Sequence, residues 1–361
     1  MHPLLRQLGA IALLLGASQP AWAEFILFPE LNGFAQRDIE PDEMAMPSEH
    51  SEHPLRKNQL DAALDIFYSA DYGRLRLLSE LEVEITEREI EIERLQAGWL
   101  FGSGTTAWIG RFHTPLGYWN TQYHHGSYLQ TAVTRPGIME FHGLKAPLPL
   151  HIAGLLVEGT HPLENQEIHY QISLGAGPNL QHHGLEPVDF LNLNTGAHKF
   201  SAAARLSYLP DPVIPNEIGG FAAYTVIPSI HKTIREIRQT IAGAFGNWEY
   251  QPLRLIGEMY FISNDLIADA ATARASFVSY NLQAEYTLHP NWTVYARAED
   301  TLNANNDPYL DIFPEFIRRR ALAGLRFDLT HNQALKLEWA EIRRQDGRFN
   351  EIILQWSAAF P

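Results

Sequence analysis

Apolar and polar residues alternate one for one through long parts of this chain. Ala62, Leu64, Ile66 and Tyr68 alternate with Asp61, Asp65 and Ser69. Leu75, Leu77, Leu81, Val83 and Ile85 alternate with Arg76, Glu80, Glu82 and Glu84. The same rhythm carries Val278, Tyr280, Leu282, Ala284 and Tyr286, then Trp292, Val294, Ala296 and Ala298, and at the C-terminus Ile352, Leu354, Trp356, Ala358 and Phe360. Successive side chains of a strand point to opposite faces, so a two-residue period predicts strands with one apolar and one polar face. Runs of about ten residues with this pattern are the signature of a membrane-spanning barrel with a wet interior. A soluble sandwich has shorter strands, with turns about every 8–12 residues. Between Glu89 and Phe101 the phase slips, because Ile90 and Ile92 are out of step with Leu95, Ala97, Trp99 and Phe101. That predicts a bulge, or a strand rising above the lipid.

The connections set the topology. Tight turns are expected at residues 71–73, 102–104, 246–247, 289–291 and 331–332, and longer linkers at 38–58, 114–148, 177–197, 264–271 and 302–314. Barrels of this kind have short periplasmic turns, long external loops and, in bacterial single chains, an even number of strands. Counting a strand at residues 138–145 gives an odd total of about seventeen. Reading Arg111 to Leu148 as one loop leaves about sixteen, with every long connection outside. The expected fold is therefore all-β: a closed antiparallel transmembrane barrel of about sixteen strands, in which the stretch from Arg111 to His151 follows the fifth strand and folds into or over the lumen. Trp99, Trp108, Trp248, Trp292 and Trp356 fall near the expected periplasmic ends, where a half-apolar ring suits the membrane interface.

Residues 1–23 read as a signal peptide: Arg6, an apolar stretch at 8–15, and Ala21-Trp22-Ala23 as a cleavage site. The apolar stretch is far shorter than the ~20 residues of a spanning helix. Residues 24–361 then form one barrel domain. The chain has no Cys and a formal charge of -15, which argues against nucleic acid and anionic membrane surfaces as partners. The remaining membrane architecture, with no long apolar run, is the closed barrel.

Three groups of residues could carry chemistry. The early strands offer Asp65, Glu80, Glu82 and Glu84 on the lumen parity; the late strands offer Arg254, Arg297, Arg318, Arg320, Arg326 and Lys336. Opposed acidic and basic walls can select solutes by sign and size; equally, Glu299, Asp328 and Glu338 share the inward parity and can neutralise the bases. The long loop offers Arg111, His113, Tyr118, His124, His125, Arg135 and Glu140 as constriction residues. His is abundant, with His142 and His151 in or beside the loop and His182 and His183 in the 177–197 linker. Adjacent His residues point apart on a strand and no HExxH is present, so neither a metal nor another cofactor is expected. Nor is catalysis: there is no GxSxG, and Ser127 is the one Ser that stands out near the loop His residues.

The last strand resembles the terminal strand of bacterial outer-membrane proteins, with Pro361 one residue beyond the usual final aromatic. The signal peptide, the amphipathic strands and the long loop after the fifth strand together resemble the general porins, across residues 24–361. The resemblance implies recognition by the barrel assembly machinery, insertion into outer-membrane lipid, and passive diffusion of small hydrophilic solutes through a pore narrowed by the inward loop. It also implies a homotrimer. A different reading of the same chain is a non-conducting barrel whose His-rich loops bind a metal or an envelope partner.

Overall fold

The structure is a computed structural model that describes residues 22–41, 58–86, 88–102, 104–123, 126–141, 143–191, 196–230, 233–268, 271–305, 307–345 and 347–361. Its strands are β1 (Trp22–Pro41), β2 (Asn58–Tyr72), β3 (Leu75–Glu84), β4 (Glu89–Leu100), β5 (Thr105–His113), β6 (His151–Leu163), β7 (Gln166–Ala176), β8 (Asn179–Gln181), β9 (Gly184–Glu186), β10 (Phe200–Leu209), β11 (Glu217–Pro228), β12 (Glu236–Tyr250), β13 (Leu253–Ile267), β14 (Thr272–His289), β15 (Trp292–Leu302), β16 (Arg319–Thr330), β17 (Gln333–Arg343) and β18 (Gly347–Ala358). All except β8 and β9 pair with both neighbours in one closed barrel, and β18 seals it against β1. The barrel has sixteen strands. At the seam Leu27 and Phe360 exchange backbone hydrogen bonds of 2.8 Å, so the chain's last aromatic residue completes the closure. Closure removes the edges that would leave backbone groups unpaired in lipid.

The alternation read from the sequence is the wall of this barrel. Phe261, Leu282 and Leu354 are more than half exposed on its outside, while Asn281, Gln283 and Gln355 are buried within. So wide an exposed apolar surface requires an apolar solvent. No helix among the described residues is long and apolar enough to cross a membrane; the strands do the spanning.

The phase slip in β4 is a bulge. Glu80 opposes Arg94 but Leu81 opposes Ile92, which leaves Glu93 as the extra residue. The described residues between 138 and 145 form 3-10 turns at Gly137–Met139 and Gly143–Lys145 rather than a strand, so the strand count stays even. Other expectations need revision. Arg111 and His113 belong to β5 and His151 opens β6, so the loop proper runs from 114 to 150. The 264–271 linker shrinks to residues 268–271, because β13 and β14 stay paired as far as Ile267 and Thr272. The 177–197 linker carries its own hairpin, β8–β9. Trp99, Trp248 and Trp292 are exposed, as an interface belt requires, but Trp108 is buried and donates to Glu158 at 2.8 Å. Most of the expected signal peptide (1–21) and of the first external loop (42–57) lies outside the described residues. Trp22 and Ala23 already pair with Asp71 and Ala70 in β1.

Candidate functional site

The 114–150 loop crosses the barrel interior. It begins with one short helix, α1 (Trp119–Gln122), and continues through 3-10 turns. A polypeptide packed against the barrel wall must find partners for the backbone polar groups that the packing buries, and the wall facing this loop supplies them. Glu258 on β13 accepts the amides of Tyr118 and Trp119 at 2.5 and 2.9 Å. Arg205 on β10 donates to the Gly117 carbonyl at 3.1 Å and pairs with Glu217 at 2.7 Å. Arg297 on β15 reaches the Thr134 and Arg135 carbonyls at 2.9 Å each, and Gln283 and Glu299 as well. Arg320 on β16 donates to the Arg135 carbonyl and pairs with Glu299 at 2.6 Å. Glu299 in turn accepts the Gly137 amide at 2.6 Å. Glu338 on β17 takes the Val133 amide and the Thr134 hydroxyl. Arg326 holds the Tyr128 and Gln130 carbonyls, and Lys336 the Ser127 carbonyl.

Apolar packing reinforces this suture. Leu116, Trp119, Tyr123, Ile138 and Met139 of the loop share one buried cluster with Phe221, Phe245, Ile256, Tyr260 and Phe277 of the wall. Trp119 is fully buried, with the Arg297 guanidinium 5.4 Å from its ring centroid. Gly117 has a φ of +64°, and a Cβ there would run into Tyr260 and Glu258; only glycine passes so close to the wall.

The residues expected at the constriction separate accordingly. Tyr118 is buried, and its hydroxyl accepts from Arg254 at 3.0 Å. Arg135 points inward against its own loop, donating to the Met139 and Tyr123 carbonyls and lying 3.8 Å from the centre of the Phe141 ring. Burial pulls its guanidinium down to about 10, against the attraction of Glu140. Glu140 pairs with Lys145 at 3.3 Å. Burial raises its pKa, but Lys145, Arg320 and Arg135 together hold it below the ordinary carboxylate value. His124 and His125, like His142, lie outside the described residues.

The basic ladder also separates. Arg254, Arg297, Arg320, Arg326 and Lys336 are bound to the loop or to wall carboxylates, as above. Arg254 bonds Asn247 and lies 3.7 Å from Glu285. Arg318 is not on the wall; it precedes β16 and contacts Asn305 and Asp311. On the opposite side, Asp65, Glu82 and Glu84 are half-buried on β2 and β3, with Asp65 directly opposite Glu82. Glu80 is buried and accepts from Arg94 at 2.8 Å. Arg111 pairs with Glu91 of β4 at 2.5 Å and lies 4.0 Å from Glu93.

Sequence reading missed Arg205 and Glu258, both buried and bound to the loop. Glu258 was visible as the lone acid between Ile256 and Tyr260, on the same parity as Arg254. It also missed Glu93, which the bulge brings together with His113 and His151: one ligand atom from each lies within 4.8 Å of the others. Among the described residues these three are the group whose donor types suit a metal ion.

No protein-family model matches the sequence, and no curated protein matches it. Solved structures match along nearly its whole length. The outer membrane channel DcaP of Acinetobacter baumannii superposes with a TM-score of 0.55 at 11% identity, covering 96% of this chain and 99% of that one. An anion-selective porin from Comamonas acidovorans gives 0.61 at 10%, covering 94% and 99%. OmpF of Salmonella typhi, in complex with daunomycin, gives 0.56 at 10%, covering 94% and 97%. The sixteen-stranded closed barrel is thus the general porin architecture.

Proposed function

We propose that this protein is an outer-membrane channel for passive diffusion of small hydrophilic solutes or ions, narrowed by the Arg111–His151 stretch and favouring cations. The observation that carries the reading is the asymmetry of the interior. The loop is sewn to the wall of β10–β17, and the basic residues of that wall are spent on loop carbonyls and on carboxylates. The wall of β2 and β3 presents Asp65, Glu82 and Glu84, half-buried side chains of one sign, while on β1 the loop meets Glu30 through the Ser127 side chain. A solute passing between loop and wall meets carboxylates on that side, and rings of carboxylates favour cations. The proposal includes export by the signal peptide, insertion by the barrel assembly machinery, a location in the outer membrane, assembly as a homotrimer and no catalysis.

Single-channel recording from the folded barrel in planar bilayers tests it. Discrete conductance steps are expected, and deletion of residues 121–137 is expected to enlarge them. Silence from folded protein would overturn the proposal. A second reading, a non-conducting barrel whose loops bind an envelope partner, is favoured by one observation: the continuous apolar cluster between loop and wall, which fills that part of the lumen. The same silence would support it.

A further inference from the structure

His113 is the last residue of β5 and His151 the first of β6, so the two form the neck through which the loop leaves and rejoins the barrel. They are directly paired across the strands, with ring centroids 5.2 Å apart. On the other side of β5 the last paired position is Leu95 with Arg111; two residues further on, Glu93 stands beside His113. The three residues therefore form a row across three adjacent strands. Glu93 reaches it because it is the extra residue of the bulge. Its carboxylate lies 2.7 Å from the His151 Nε2, and the Glu80 carboxylate lies 3.8 Å from the His113 Nε2. All three are buried side chains, at 3–7% exposure.

We propose that Glu93, His113 and His151 bind a divalent transition-metal ion, zinc being the best-matched, at the neck of the inner loop. Two imidazoles and one carboxylate are the donor set of three-ligand zinc sites, which leave a fourth position for water. Imidazole with carboxylate suits zinc and its neighbours, and discriminates against the harder magnesium and calcium, which take oxygen alone. Ligand atoms around a tetrahedral zinc stand about 3.3 Å apart, given bonds of about 2.0–2.2 Å. The present separations, from 2.7 Å to within 4.8 Å, bracket that value. The local charge also suits a cation. Glu80, Glu91 and Glu93 face Arg94 and Arg111, and the Arg111 guanidinium is closest to Glu91, 2.5 Å away against 4.0 Å for the nearer Glu93 oxygen. The Glu93 oxygen turned toward His151 is the other one. A metal here would tie both ends of the loop to β4. The site stands apart from the conductance proposal, since a barrel that conducts nothing could still hold it.

Titration of the full-length, detergent-folded barrel with Zn2+ after chelator treatment tests this by calorimetry. One saturable site is expected. His113→Gln and His151→Gln are each expected to weaken it by no less than the roughly 10–100-fold that loss of an outer-shell partner costs, whereas replacing His182 and His183 should leave it intact. Absence of a saturable site, or unchanged affinity in the His113→Gln/His151→Gln double variant, would overturn the assignment. X-ray absorption at the zinc edge of the wild-type protein needs no variant: two imidazoles in the first shell are expected, and a shell with any other number would contradict it.

Discussion

The two halves of the lumen wall differ in what their charges are for. On β10–β17 the charged residues face a polypeptide. Arg205, Glu258, Arg297, Arg320, Glu338 and Lys336 are buried because the loop lies on them, and each holds a backbone group or a counter-charge. On β2 and β3, Asp65, Glu82 and Glu84 keep part of their surface accessible. A sequence shows charge of both kinds at the same inward parity. The difference arises because a buried charge is tolerated only when paired and hydrogen-bonded, and the loop's carbonyls and amides supply those partners on one side of the barrel.

Arg297 is where the two walls differ most. It joins Thr134, Arg135, Gln283 and Glu299 in one network, and its removal takes the guanidinium from the Thr134 carbonyl and leaves Arg320 as the one arginine on Glu299 and the Arg135 carbonyl. Arg297→Ala is expected to cost about 3–5 kcal/mol, spent mainly on loop docking. Limited proteolysis should then cut between residues 121 and 137, and conductance should rise. An uncut loop would remove Arg297 from the suture. Gly117→Ala comes next. The strained φ and the collision with Tyr260 and Glu258 are expected to cost about 1–3 kcal/mol, seen as a lower thermal midpoint with the same proteolytic signature. An unchanged midpoint would show that the loop does not press on the wall there.

A smaller effect follows from Glu140. Its pKa in the folded protein lies below the 4.5 of the free side chain. The unfolded or undocked state therefore binds the proton first, and the contribution is complete above about pH 4.5 and lost as pH falls through the folded value. Loop docking should weaken only in that acid window, read as increasing conductance noise between neutral and acid buffer. Glu140→Gln should remove the acid step. A step that persists in the variant would assign it to another group.

Much of the barrel was legible because its rule is local. A two-residue period survives any tertiary context, so the alternation from Val278 to Tyr286 predicted both the outward Leu282 and the inward Gln283. The bulge at Glu93 was legible for the same reason, as a slip in that period. The requirement for an even strand number placed the loop after β5. Its contacts with the wall were not legible, because they join residues far apart in the chain, such as Glu258 with Tyr118 and Glu338 with Thr134. Trp108 was misjudged because position near a turn does not decide which face a ring occupies. The row of Glu93, His113 and His151 depends on register across three strands, which sequence spacing does not contain.

In the proposed channel the solute path runs beside the acidic wall, because the basic wall is occupied by the loop. The reversal potential of single channels in a KCl gradient tests this most directly, with wild type measured beside Glu82→Gln and Asp65→Asn. A potential of the sign set by K+ over Cl− is expected, reduced in both variants and unaltered by Arg318→Ala at the rim. A potential of the opposite sign, or one indifferent to Glu82 and Asp65, would contradict it.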